Sequence, residues 1–574
     1  ELLHRDEPQV LVAALRLTGA RRLTACADRV FELLDAPQPE VADAACATLA
    51  QVARPGDAGR IAAMLDTADA THVGGLQEAL HAALLPLSAE ERCARIEAFL
   101  EASPAGERYY PVLARTDTPQ AVARLLERFR ADGSEAAFDA LLLVNTPQMI
   151  DTLYALAAEH PTLADRALGR YAELTARFRT TPVRLYQQTR RALALEASDA
   201  TRSRLLTNLL DVQAYPALVL AVSYLENEGT AAAAAAVVKN LVAKSSPMPG
   251  GADIRAALEK AREVYRKLAQ SDADAGYAVD EITGLLGRLP ETGFVALPTD
   301  PAQWQPVADS PASGRKLSAA AAKLRRSAET ALRENWTGRD GMLLYAGKSP
   351  STIALEKPRE NFELWLEWRS QGEAGLGVRS LPLVRLGGAG TTVRTADGFV
   401  QDVPASDNAA GEWNTLYVKV SDDRITVVEN GVTVVENRTM ENLREPGMPV
   451  DVTGTVWIAG LGSPVELRDM WLRELPSTPL YELSEEERAE GFELLFDGRS
   501  LHKWTGNKVN YVPLDGTIDV TASYGGGGNL YTKKEYGDFI LRFEFRFLHE
   551  AVNNGIGIRT PMGVDAAFDG MDPL

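Results

Sequence analysis

The chain has 574 residues, 45% hydrophobic and 24% charged, with a formal net charge of −19 and a pI near 5.0. It is too long for a single core, so three or four globular domains are expected. The acidity argues against nucleic acid, whose phosphates most of the surface would repel, and no apolar run approaches the roughly 18 residues that span a membrane.

From residue 1 to 288, apolar positions return every three or four residues, and Pro, Gly or Asp separates segments of helical length. The run Val10 to Leu15 after Pro8 and the run Val41 to Cys46 after Pro39 are offset by 31 residues. Thr118-Pro119-Gln120 and Thr146-Pro147-Gln148 each read as a helix start, with Thr placed to cap free amides and Pro tolerated in the first turn. Such approximate repeats predict stacked helix pairs and resemble HEAT-like α-solenoids. The resemblance implies either a curved surface for a protein partner or a support for the β domains. Ala231 to Ala236 continues into Val-Val-Lys-Asn-Leu-Val and reads as a packed helix, and Ser245 to Gly251 reads as a break.

Near Leu289-Pro290 the period changes to two. Phe362, Leu364, Leu366 and Trp368 fall on one face and Glu363, Glu367 and Arg369 on the other, as in half-buried strands. Asn430-Gly431 between two Val-rich runs is a two-residue hairpin signal, since both turn positions need positive φ. Strands with such turns and no alternating helices predict a β-sandwich. Pro476-Ser-Thr-Pro and Ser484-Glu-Glu-Glu read as a linker with a short capped helix.

One stretch occurs twice. Asn-Phe-Glu-Leu-Trp-Leu-Glu-Trp-Arg from Asn361, followed by Gly-Leu-Gly-Val-Arg379, is echoed by Asp-Phe-Ile-Leu-Arg-Phe-Glu-Phe-Arg from Asp538, followed by Asn-Asn-Gly-Ile-Gly-Ile-Arg559. The expected division is therefore a helical region at 1–288, a first β domain at 289–476, a linker at 477–490, and a second β domain at 491–574 of which only the N-terminal part is present. The first copy, which carries a full run of later strands, is expected to fold alone.

The second copy, through Gly491 to Trp504, Asp515-Gly516-Thr-Ile, Gly525 to Phe539, Glu544-Phe-Arg546, Asn553 to Arg559 and Gly570-Met571, resembles the 3-keto-disaccharide hydrolase domain family. That resemblance implies a concanavalin-like jelly roll in secreted or periplasmic bacterial proteins acting on glycosides oxidised at C3. A C3 ketone acidifies the C2 hydrogen, so one base can remove it while a cation or N–H donors hold the enolate oxygen. The C1 substituent then leaves, and water adds back. The alternative is a non-catalytic protein that grips glycan on both sandwiches.

Arg559 is the leading residue for substrate oxygen or enolate, because Gly555 and Gly557 let a ring come close to its strand; an ion pair with Glu544 or another acid is the competing role. Asn553 and Asn554 can donate to sugar hydroxyls, or simply form a turn. His549 is an available base, or a surface histidine. Where the family continues Gly-Met with Glu-x-Gln, this chain reads Asp572-Pro573-Leu574, so Asp572 is the candidate acid. In the first copy Arg379 matches Arg559 and is assigned to substrate binding, but no acid matches, so a sugar-binding or structural role is expected there.

Cys26, Cys46 and Cys93 are an odd set without a complete disulfide framework, and read as small core residues. No pair of the six histidines has zinc-ligand spacing. No cofactor is evident, and a divalent metal on scattered carboxylates stays open. The first residues, Glu-Leu-Leu-His-Arg-Asp-Glu-Pro, lack signal-peptide character and read as lying inside a folded domain, so an upstream export segment is expected to have been removed.

Overall fold

A computed structural model describes residues 1–178, 180–307, 319–379, 383–387, 390–395, 398–402, 408, 411–440, 450–477, 479–508, 510–514, 516–520, 528–548 and 554–559. The chain forms two compact units, one of Glu1–Arg179 with Arg191–Leu205, the other of Thr180–Arg190 with Leu206–Leu574. The change from helix to strand falls between Ala275–Arg288 and Val295–Ala296.

In the first unit, successive amphipathic helices pack side by side, Pro8–Ala20 on Pro39–Val52 and the latter on Val73–Leu84. Pro8 and Pro39 occupy the first turns, where a missing N–H costs nothing. Thr118 caps Pro119–Asp132 by accepting from the Ala121 amide at 3.2 Å. Its counterpart differs: Thr146 and Pro147 form a turn, and the helix Met149–Glu159 starts behind Gln148 with no side-chain cap. Cys46 and Cys93 are buried, whereas Cys26 ends a short 3-10 turn and is only half-buried. Burial, then Asp43 and Asp69, push the Cys46 thiol up to about 11, so it packs as an inert hydrophobe.

The second unit contains the helices Ala231–Lys244 and Ala252–Leu268, with the predicted break between them, and an antiparallel two-sheet sandwich. One sheet runs Val432–Thr439, Arg424–Glu429, Asn414–Ser421, Phe362–Ser370, Val465–Glu474, Met342–Tyr345, Trp336–Arg339, with Val295–Ala296 also paired to Val465–Glu474. The other runs Gly398–Val400, Thr392–Thr395, Leu383–Leu386, Ala374–Gly377, Trp457–Gly460, Ser351–Ala354, Gln305–Pro306. Phe362, Leu364, Leu366 and Trp368 of the first meet Leu376, Val384, Ile353 and Ile458 of the second in one core. Asn430 and Gly431, at φ 49° and 83°, make the expected tight hairpin.

The alternation reading is corrected at the other face of that sheet. Glu363 and Glu367 are 4% and 1% exposed: residues 182–190, the first turns of the helix Pro182–Leu193, reach Glu367, and Tyr417 and Arg473 close over Glu363. Glu367 accepts from Tyr186 Oη at 2.7 Å and pairs with Arg190 at 2.9 Å and Arg468 at 2.7 Å. Glu363 accepts from Tyr417 Oη at 2.8 Å and from Arg473 Nε at 2.7 Å. Asp469, at φ 50° in the β-bulge between Arg468 and Trp471, turns toward Arg190 and completes the network.

The β segment after residue 491 also departs from expectation. Trp504–Gly506 pairs with Leu530–Thr532, and Tyr511–Leu514 with Thr517–Val520. Residues 538–548, expected as a strand, have no strand pairing among the described residues, and Phe543, Phe545 and Phe547 are 54%, 74% and 52% exposed. In the first copy the matching strand lies between Asn414–Ser421 and Val465–Glu474; the described residues of the second supply no such neighbours, and an alternating strand without neighbours buries nothing. The first sandwich contacts this segment. Buried Leu501 donates its amide to Asp423 Oδ2 at 3.3 Å, Arg424 reaches the Tyr511 carbonyl at 2.9 Å, and Arg499 pairs with Glu360 at 2.7 Å. Among the described residues no helix is long and apolar enough to cross a membrane.

Candidate functional site

The two matched arginines share a backbone feature. Arg379 and Arg559 both adopt left-handed conformations, at φ 49° and 55°. For a non-glycine residue this is uncommon. Their surroundings differ. Arg379 is 3% exposed, and its guanidinium donates to main-chain carbonyls, from Nη2 to Asp451 at 2.7 Å and from Nη1 to Asp422. Asn361 binds the same turn, accepting from the Asp422 amide at 2.7 Å. Burial pulls the Arg379 pKa below the ordinary guanidinium value, while Asp423 and Asp422 act in the opposite sense. Gly454 packs against its backbone, where a Cβ would come within 2.4 Å of the Arg379 carbonyl carbon. Arg379, assigned to substrate from sequence, therefore spends these donors on tying the first copy together.

Arg559 is exposed, with its Nη2 3.2 Å from Asp538 Oδ1. Asp538 occupies the position that Asn361 holds in the first copy, so the acid that answers Arg559 is the one at the start of the repeat rather than Glu544. Asn554, on the same exposed segment, accepts from the Gly555 amide at 2.8 Å, as a turn asparagine does. His549, Asn553 and Asp572 lie outside the described residues.

A better-formed platform, which sequence reasoning missed, lies on the second sheet of the sandwich. Leu376, Val384, Val393 and Ile458 point into the core. The alternation therefore turns Gly375, Gly377, Arg385, Thr392, Arg394 and Trp457 outward. Trp457 is registered directly opposite Gly377, and Arg385 opposite Gly375. The indole of Trp457 lies across the glycine, since a Cβ on Gly377 would fall 1.7 Å from its Cε2. Trp457 is half-buried, Arg394 is exposed, and Arg385 sits 3.8 Å from Glu373. A partly exposed indole on a floor without side chains can stack against a flat apolar ring face, and Arg385 and Arg394 stand on the same face of the sheet, two and three strands away. The available signal was Gly-Leu-Gly at 375–377 facing the alternating Trp-Ile-Ala at 457–459.

One further cluster has the residue types of a nucleophilic relay but not its geometry. Ser500 Oγ is 2.6 Å from His502 Nδ1, and Asp497 Oδ2 is 3.4 Å from the same nitrogen. Nucleophile and acid must occupy opposite nitrogens of the imidazole for it to pass a proton. Asp497 Oδ1 instead accepts from the Arg499 and Ser500 amides at 2.9 and 2.7 Å, which marks a turn. Among the described residues no group of three His, Cys, Asp or Glu side chains is arranged to hold a metal ion.

Comparison with known proteins gives one sequence-level match and distant structural ones. A candidate glycosyl hydrolase from Parabacteroides distasonis aligns over 25% of this chain and 84% of its own, at 17% identity and a TM-score of 0.21. A carbohydrate-binding module from Bacillus subtilis aligns over 24% and 91%, at 8% identity and a TM-score of 0.19. Scores this low carry no weight for either fold or function. No curated protein matches the chain. The model of the 3-keto-alpha-glucoside-1,2-lyase-like domain matches residues 325–473 and 491–571, under half of the chain but reaching into both β segments, and it is a model of a carbohydrate-active domain.

Proposed function

We propose that the protein is a carbohydrate-active enzyme that cleaves 3-keto-glycosides in bacterial glycan breakdown. The observation that carries this reading is the match of 325–473 and 491–571 to the 3-keto-alpha-glucoside-1,2-lyase-like domain. A base takes the C2 proton, the enolate oxygen is held by a cation, the C1–O bond breaks with its electron pair leaving on the aglycone oxygen, and water adds at C1. Arg559 is assigned to the enolate oxygen, His549 or Asp572 to proton transfer, and Asn553 and Asn554 to sugar hydroxyls. The helical region at 1–288 is read as a HEAT-like solenoid offering a protein-binding surface, and the domains at 289–476 and 491–574, joined by 477–490, as a glycan-gripping and a catalytic jelly roll. Periplasmic or secreted location belongs to the same reading.

The test is release of aglycone from a 3-keto-glucoside and from its unoxidised parent by the purified protein. Turnover of the keto substrate is expected, with Arg559→Ala slowing it about a hundredfold or more, the scale of a lost oxyanion donor. If neither compound is cleaved, the enzyme reading is lost.

A second reading, glycan binding without catalysis, is favoured for the first copy by Trp457 on its glycine floor and by the engagement of Arg379 with the backbone. Trp457→Ala is expected to weaken retention in a glucan-containing native gel about tenfold, on the order of 1.4 kcal/mol. Unaltered migration of that variant relative to the parent would remove the platform from consideration.

A further inference from the structure

The helix Ala319–Asn335 stands between the strands Gln305–Pro306 and Trp336–Arg339 of the first copy. The second copy runs from Trp504–Gly506 to Tyr511–Leu514 with no helix among its described residues. The helix is firmly seated at its C-terminal end. Asn335 is fully buried, accepts from the Lys348 and Ser349 amides at 3.0 and 3.1 Å and donates to Ser349 Oγ at 3.1 Å, while Leu332 packs on the sandwich core.

The outward side of this helix is polar. Lys323, Arg326, Ser327, Thr330 and Glu334 recur at helical spacing and, with Ser349, line a shallow open hollow. Lys323, Arg326, Ser327 and Thr330 are all exposed. The helix and its neighbour Lys348 bring together Lys323, Arg325, Arg326, Arg333 and Lys348 with two carboxylates, Glu329 and Glu334, in a chain of net charge −19. Arg325 lies off this hollow and pairs with Glu329 at 3.3 Å, while the hollow itself presents Lys323 and Arg326 with one carboxylate, Glu334, beside a row of hydroxyls.

We propose that this helix face is a second binding site, for a carboxylate-bearing polysaccharide. The cations supply attraction to the uronate charges, and the hydroxyls of Ser327, Thr330 and Ser349 suit sugar hydroxyls. Nucleic acid is the less fitting polyanion. Among the described residues, the lining holds no aromatic side chain on which bases stack. The choice of a glycan rests on the carbohydrate reading above, while the site itself is separate from the one assigned to cleavage.

The experiment measures retention of the full chain in native gels containing polygalacturonate, dextran or single-stranded RNA. Retention by polygalacturonate but not dextran is expected, fading as salt rises and the Debye length shrinks to a few ångströms. Lys323→Glu combined with Arg326→Glu should weaken it at least about tenfold, since each reversal replaces an attraction to the uronate charges by a repulsion. Absence of retention, an unaffected double variant, or tighter binding of RNA than of polygalacturonate would each overturn the proposal. Turnover of a small neutral 3-keto-glucoside, assayed in parallel, should be equal in parent and double variant. Its absence in the parent would count against the enzyme reading alone.

Discussion

Glu367→Ala is expected to destabilise the sandwich by about 3 kcal/mol, the lower end of the range for removing one member of a buried ion pair. Glu367 is 1% exposed and receives Tyr186, Arg190 and Arg468. Without it two guanidinium groups face each other with Asp469 as the remaining carboxylate of the network. The lower end applies because Arg190 and Arg468 keep 25% and 24% side-chain exposure and can be partly rehydrated. Urea unfolding followed by tryptophan fluorescence checks this, since Trp365 and Trp368 flank the site on the same strand. A shift equivalent to less than about 1 kcal/mol would mean that water already does the work of the carboxylate. The same change should loosen residues 182–190 from the sheet, raising amide exchange there before global unfolding.

The second large effect separates the two arginines that the repeat aligns. Arg379→Ala is expected to cost about 2 kcal/mol, because the buried Asp422 carbonyl loses its donor, at roughly 1–3 kcal/mol for such a group, and the part-buried Asp451 carbonyl loses its donor as well. Arg379→Lys should rescue little, since an ammonium cannot reproduce the planar fork that spans two carbonyls. Arg559→Ala should leave the melting temperature unchanged, its partner Asp538 being an exposed carboxylate. Thermal melts of the three variants beside the parent decide the matter. If Arg379→Ala melts like the parent but loses glycan retention, then the guanidinium serves ligand rather than fold.

Local sequence signals were legible where one neighbour decided the outcome. Thr118 with Pro119 starts a helix because the hydroxyl needs only the amide three residues on, and Asn430-Gly431 turns a hairpin because both residues accept positive φ. Thr146-Pro147 carries the same letters, yet the chain makes a turn there before Met149. Period-two alternation correctly identified the core face of Phe362–Ser370, but it could not reveal what covers the opposite face. Burial of Glu363 and Glu367 depends on Tyr186 and Arg473, far away in sequence. Trp457 was invisible as a site residue for a related reason, since its meaning comes from register with Gly377, 80 residues earlier. Of the assigned site residues, Arg379 proved to be engaged with backbone, Arg559 and Asn554 lie on an exposed segment, and the others fall outside the described residues.

By itself, the sequence determined that a helical first part gives way to antiparallel strands near residue 290, that one strand pattern occurs twice, and that its wording is that of a carbohydrate-active domain. Those features rest on periodicity, turn chemistry and ordered motifs, all properties of short stretches. Only the tertiary structure decided that the strand at 362–370 is covered on both faces, whereas residues 538–548 with the same alternation stay exposed and have no strand partner among the described residues. Alternation prepares a strand to be buried, but burial needs neighbours, and neighbours are supplied by the fold rather than by the strand.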